Sequence, residues 1–133
     1  LTRRRLARAG AIIELQRLTV SLRGGCERRE QCLLFTFIGQ LDAYSDKQFS
    51  AFVQEGREGS ELPLLIDLSR IDFLDSSGLG ALVHLAKECK DAGVAFGVVG
   101  NARVTQTVKL VRLEEFLHLH PDLEQALGSL AAA

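Results

Sequence analysis

The sequence predicts an α/β domain, with a mixed, mostly parallel sheet of four or five strands and about four helices packed on it. Three observations lead there. Short apolar runs bounded by turn residues alternate with segments of helical periodicity, in the order β β α β α β α β α. The connections between these segments are short, which favours a largely parallel sheet entered through an antiparallel hairpin. The 133 residues, 47% hydrophobic and 25% charged, suit one globular domain and are too apolar for a disordered chain.

Taken in order, LTVSLRG (18–24) alternates in polarity and CLLFTFIG (32–39) is apolar and aromatic up to Gly39, so both read as strands. The charged stretch Gly24 to Gln31 between them is expected to be the hairpin connection. Ser45 and Asp46 can cap a helix starting near Lys47, with Phe49, Phe52 and Val53 on its inner face and an end near Gly56 or Gly59. PLLIDLS (63–69) has the near-continuous apolar character of a strand buried on both faces. A polar turn, IDFLDSSG, should lead into the amphipathic helix LGALVHLAKECKDAG. Leu79, Leu82, Val83, Ala86 and Cys89 form its inner stripe, His84, Lys87, Glu88 and Asp91 face away, and Gly93 is its C-cap. VAFGVVG (94–100) is another buried strand. Asn101 caps a third helix running to about Leu110, FLHLH (116–120) reads as a short strand, and PDLEQALGSL (121–130) is a last helix with Pro121 in its first turn.

The formal net charge of -1 conceals an asymmetry. Residues 1–30 hold eight Arg against Glu14, Glu27 and Glu30, a net of +5, and residues 31–133 hold eight basic and fourteen acidic residues, a net of -6. Residues 1–17 read as a basic N-terminal extension, either a flexible arm or, on composition, a transit-type leader, and 18–130 as the domain. The acidic domain argues against direct nucleic-acid binding. No apolar run approaches the roughly 18 residues of a membrane span, and no long apolar segment follows the N-terminal arginines as secretion would require. A soluble cytoplasmic protein is expected. Cys26, Cys32 and Cys89 are odd in number and contain no CxxC, which suits reduced thiols better than disulfides or zinc. His118 and His120 would share one face of a strand, but two imidazoles without a third ligand read as solvated side chains, so no metal is expected.

No GxGxxG, GxxxxGK[ST] or GxSxG motif occurs. What stands out is DSSGLG, Asp75 to Gly80, where a buried strand meets an amphipathic helix. Asp75, Ser76 and Ser77 are residue types that cap helices, and capping alone accounts for them. The same position also favours an anion, because first-turn amides lack intrahelical partners and the macrodipole is positive there. A phosphoryl group on Ser76, or secondarily on Ser77, would add about -1.5 to -2 charges beside Asp75 and could alter partner binding without altering the fold.

The segment LLIDLSRIDFLDSSGLGAL resembles the signature of the STAS domain, specifically that of bacterial anti-sigma factor antagonists. FTFIGQLDAYS upstream is similar to the family's strand ending in GELD, with Asp42 at the motif's aspartate and Gln40 in place of its usual Glu. Downstream, VAFGVVG and NARVTQTVKLVRLEEFL follow the family's order, so the resemblance covers about Leu18 to Leu130. It implies an α/β STAS fold and a non-enzymatic partner switch. In that switch the unphosphorylated chain binds an anti-sigma factor that is also a GHKL-type serine kinase, which frees the sigma factor. Phosphorylation of Ser76 ends binding, and a metal-dependent phosphatase restores it. Partner contacts are implied for Asp42, Asp75, Ser76, Ser77, Gly78, Leu79 and Gly80. ATP and magnesium would reside on the kinase, this chain would hold no cofactor, and a weak homodimer is compatible with the resemblance.

Two other classes remain open from the residues. One is a stressosome-type scaffold or a ligand- or nucleotide-sensing STAS module, which size measurement without kinase would separate from the switch. The other is a hydrolase with Ser76 as nucleophile, for which His84, His118 and His120 are the candidate bases and none is placed by sequence beside Ser76. His84 and Lys87 could also meet a partner from the exposed face of their helix.

Overall fold

The computed structural model describes residues 14–132. Six strands lie in one sheet in the order β1-β2-β3-β4-β5-β6. These are β1 (Gln16–Arg17), β2 (Leu22–Arg28), β3 (Leu33–Leu41), β4 (Leu64–Leu74), β5 (Phe96–Val99) and β6 (Leu119–His120). The first three pair antiparallel and β3 through β6 pair parallel. Helices α1 (Asp46–Arg57), α2 (Ser76–Ala92), α3 (Ala102–Leu110) and α4 (Leu123–Ala132) complete the α/β fold.

Period-two alternation along the strands sorts side chains between two layers. Leu33, Phe35, Phe37, Leu64, Ile66, Leu68 and Val98 face α1, α2 and α3 and form the main core with Phe49, Val53, Leu82 and Val104. Leu34, Leu65 and Val99 point the other way and meet Ala126 of α4. Both faces of the central strands are thereby buried, which is why their sequences read as continuous apolar runs. Phe37 lies 4.7 Å from Phe49 and 6.0 Å from Phe52, ring centre to ring centre, so aromatic contacts lock α1 onto β3.

Several boundaries differ from the sequence expectation. β2 starts at Leu22 and runs to Arg28, through the segment expected to be the connection. Residues 18–21 instead make a turn closed by the Leu18 and Thr19 amides on the Leu22 carbonyl. The reason is cross-strand pairing: Gly24 to Arg28 meet Phe37 to Leu33 in unbroken register, and that ladder overrides the polar, glycine-containing composition. Gln16 and Arg17, assigned from sequence to the extension, pair with Gly24 and Arg23, while residues 1–13 of that extension lie outside the described residues.

β4 also runs on through the expected polar turn to Leu74, because Ile71 and Leu74 are buried and pair with Gly39 and Leu41. Helix α2 consequently begins at Ser76. FLHLH is strand only at Leu119–His120. His118 takes a positive φ of 52° and is exposed, so the two histidines do not share a strand face. The last helix begins at Leu123, where the Asp122 carboxylate accepts the Gln125 amide, leaving Pro121 ahead of it.

β5 spans four residues against eleven in β4, so the last part of β4 has no strand on that side. Asn101 fills the gap. Its side-chain amide donates to the carbonyls of Ser69 (3.1 Å) and Ile71 (2.8 Å), while its oxygen accepts the Val104 amide at 2.8 Å as the N-cap of α3. Asn101→Ala should therefore cost more than a cap alone, about 2 kcal/mol of unfolding free energy by urea titration. Asn101→Asp, which keeps the cap acceptor and loses both donors, should fall between that variant and the native chain.

Candidate functional site

The site lies where the C-terminal ends of β3 and β4 stand side by side, Gln40 opposite Phe73 and Leu41 opposite Leu74. Each strand leads into a helix within a few residues. After β4, Asp75 takes extended backbone as the N-cap of α2, and Ser76 and Ser77 open the first turn. The Asp75 carboxylate accepts the Gly78 amide at 2.9 Å through Oδ1 and the Ala43 amide at 3.3 Å through Oδ2. One side chain thus caps the helix and ties it to the loop after β3.

That loop is shaped from within. Asp42 is buried, and its Oδ1 accepts the Tyr44 amide at 3.0 Å and lies 3.2 Å from the Ser45 hydroxyl. Ser45, fully buried, also contacts the Gln40 carbonyl at 2.9 Å and accepts the Asp42 amide at 3.0 Å. Ser45 does occupy the N-cap position of α1, but its hydroxyl makes no cap bond, because the loop uses it, and Asp46 is already helical. Asp42 reaches the site through this loop, by holding Ala43 and Tyr44 in place, and presents little surface itself.

Two glycines have geometric duties here. Gly39, at φ 118°, sits at a register irregularity of β3, and a side chain there would run into the Ser21 carbonyl of the 18–21 turn. Gly78 is packed against the end of β3, where a Cβ would collide with the Leu41 carbonyl. A Cβ on Gly80, by contrast, would meet nothing.

The sequence-predicted residues are therefore gathered at one place but play different parts. Ser76 is exposed and Ser77 half-buried. Among the described residues neither hydroxyl is held by another side chain. Gly80 is exposed, whereas Gly78 and Leu79 are buried and set the seat of the helix. His84 lies two turns along α2 and contacts Glu88 at 3.3 Å, and Glu88 accepts the Gln54 amide of α1 at 2.6 Å. His118 contacts the Phe96 carbonyl at 2.9 Å, beside β6 at the far edge of the sheet. No histidine is thus engaged with Ser76 among the described residues. Sequence reasoning missed Ser45, the Ala43 amide, Tyr44 and Phe73. Tyr44, the single tyrosine of the chain, beside the QLD segment was the available signal.

Elsewhere, burial pushes the Cys32 thiol up, with Arg29 opposing, and burial likewise raises that of Cys89 against the pull of Arg57. Such thiols stay protonated near neutrality. Desolvation, reinforced by His118, lowers His120. A groove of about 730 Å³ near the β6 edge is lined by Lys109, Glu114, His118 and His120, among others. Among the described residues no group of three His, Cys, Asp or Glu could hold a metal ion, and no helix is long and apolar enough to cross a membrane.

The STAS domain family model matches residues 26–126, most of the chain and all of the site. The chain belongs to the STAS domain family. Anti-sigma-F factor antagonist RsfA of Mycobacterium tuberculosis is 22% identical over 112 residues, which cover 82% of this STAS chain and 88% of RsfA. The crystal structure of an anti-sigma factor antagonist from Mycobacterium paratuberculosis superposes with a TM-score of 0.75 at 24% identity, covering 84% of this chain and 95% of that one. The anti-sigma factor antagonist SpoIIAA gives 0.64 at 15% identity in its unphosphorylated form, covering 92% and 98%. SpoIIAA from Bacillus in the phosphorylated form gives 0.58 at 15%, covering 90% and 99%. These likenesses establish the fold as that of SpoIIAA-like STAS domains.

The two glycines of the site should respond to alanine with opposite signs. Gly78→Ala forces the first turn of α2 off Leu41 and should lower stability by about 1–3 kcal/mol despite alanine's better helix propensity. Gly80→Ala should raise it by about 0.5–1 kcal/mol, with both read from chemical denaturation midpoints.

Proposed function

We propose that this STAS domain is an anti-sigma factor antagonist that acts by partner switching, with the hydroxyl of Ser76 as its phosphate acceptor. The observation that carries the reading is the exposed Ser76 at the first helical position after the Asp75 cap, inside DSSGLG, where the family's regulatory serine stands. The names of RsfA and of the M. paratuberculosis protein agree with it, and SpoIIAA occurs with and without phosphate on the same fold.

The chemistry required of this chain is small. The Gly78 amide is already taken by Asp75, which leaves the first two amides of α2 to face a phosphate on Ser76. The helix dipole tolerates the new charge locally, so the fold survives phosphorylation. A partner resting on the same turn meets an added charge of about -1.5 to -2 in place of a neutral hydroxyl. The unphosphorylated chain therefore binds the anti-sigma factor and releases the sigma factor, and the phosphorylated chain lets go. Phosphoryl transfer, with its ATP and magnesium, belongs to a GHKL-type kinase partner, and removal belongs to a metal-dependent phosphatase. The chain itself catalyses nothing in this scheme and works in the cytoplasm.

Incubation with the cognate GHKL-type kinase and ATP, followed by peptide mass spectrometry, should place phosphate on Ser76. Absence of phosphate from both Ser76 and Ser77 with a kinase shown to be active would refute the assignment. In titrations against that kinase, Ser76→Ala should bind like the native chain and Ser76→Asp at least about tenfold more weakly, since like-charge contacts at an interface cost several kcal/mol. Equal affinities would mean that charge is not the switch.

A further inference from the structure

Five large hydrophobic side chains stand well exposed among the described residues: Val20 at 93%, Tyr44 at 86%, Leu110 at 77%, Val111 at 51% and Phe73 at 44%. Three of them gather at the sheet end that carries Ser76. Phe73 lies three residues before Ser76 and pairs with Gln40. The Gln40 amide donates to the Ser21 carbonyl at 2.9 Å, which holds the turn bearing Val20 against the end of β3. Tyr44 follows Ala43, whose amide is bound by Asp75. The chain's other six phenylalanines are buried or half-buried, and it has no other tyrosine and no tryptophan. Its exposed aromatic surface is therefore concentrated on this rim.

Charge on the rim is nearly balanced. Asp46, Asp72 and Asp75, with the buried Asp42, stand against Lys47, Arg103, and Arg23 and Arg70, which flank Ile38 on either side in the sheet; Arg103 is carried by α3, whose cap Asn101 is bonded to the end of β4. Electrostatic attraction is then a weak source of affinity for the unmodified chain. A phosphate would add about -1.5 to -2 charges to the same rim. A standard interface buries about 800 Å² on each partner, a disc of roughly 16 Å radius, so one centred on Ser76 takes in the surrounding loops. Its energetic centre is expected on large, well-packed side chains, aromatics above all.

We propose that Tyr44 and Phe73, with Val20 at their margin, are the apolar anchor by which the anti-sigma factor holds this chain. The occupant presents apolar sockets rather than an excess of basic side chains. The inference rests on the function proposed above and adds a division of labour: apolar contact supplies the affinity and Ser76 supplies the veto.

The test is titration of the full chain with its GHKL-type anti-sigma kinase, comparing Tyr44→Ser, Phe73→Ser and a Leu110→Ser/Val111→Ser control, whose residues lie at the far end of α3. The anchor variants should each weaken binding at least tenfold, mainly through faster dissociation, with the control within twofold. Raising salt from 50 to 300 mM should change native affinity less than threefold. Urea midpoints establish that each variant folds, and should Phe73→Ser fail that check, Tyr44→Ser decides, because its side chain is almost wholly outside the core. Native binding with anchor variants equal to the native chain, or a steep salt dependence, overturns the anchor and leaves the function standing. Failure of the native chain to bind any such kinase overturns the function and the anchor with it.

Discussion

Everything at the functional end of this molecule depends on how closely the first turn of α2 approaches the end of β3. Gly78 allows the helix to rest on the Leu41 carbonyl, and the Asp75 amide points to the same oxygen at 3.4 Å. With the turn seated there, the two oxygens of Asp75 can reach Gly78 and Ala43 together. A bulkier residue at 78 would separate strand from helix, and Asp75 would then cap α2 or hold the β3–α1 loop, but not both. The exposed position of Ser76 is a by-product of this seat, since the turn's buried side is taken by Gly78 and Leu79.

The rest of the sheet supports that arrangement from below. The aromatic packing of Phe37 on Phe49 and Phe52 holds α1, and with it the loop from Asp42 to Ser45, against β3. Asn101 does the same on the other side by closing the unpaired carbonyls of β4. Strand ends, caps and loops around Ser76 are thus fixed by a few polar bonds on a rigid apolar base. On such a base, the phosphorylation proposed above would change surface charge and leave the backbone alone.

Much of this was legible in the residues. The apolar runs of β3, β4 and β5, the stripe of α2 and the caps Asp75, Gly93 and Asn101 are local signals, and the structure uses them as expected. Leu85 is an addition to the expected stripe, which admits Val83 only halfway. Two of the failures share one cause. Gly24 to Arg28 became strand, and β4 ran on to Leu74, because partners from distant sequence were in register with them. FLHLH lost most of its expected strand where the chain turned through His118 in a left-handed conformation. Composition reports how a segment behaves alone, whereas these segments were decided by what lay beside them.

By itself the sequence determined the α/β class and the family and singled out the serine proposed as phosphate acceptor, because hydrophobic period and the DSSGLG segment are written in consecutive residues. Tertiary structure alone decided that Ser76 is open while Ser77 is half-shielded, that Asp42 and Ser45 turn inward to build a loop, and that Tyr44, Phe73 and Val20 stand exposed at the same end of the sheet. The physical reason is distance along the chain. Asp75 meets Ala43 across 32 residues, and the Val20 turn meets Gln40 across the whole β2–β3 hairpin. No periodicity or local propensity encodes such meetings until the sheet has brought its strand ends together.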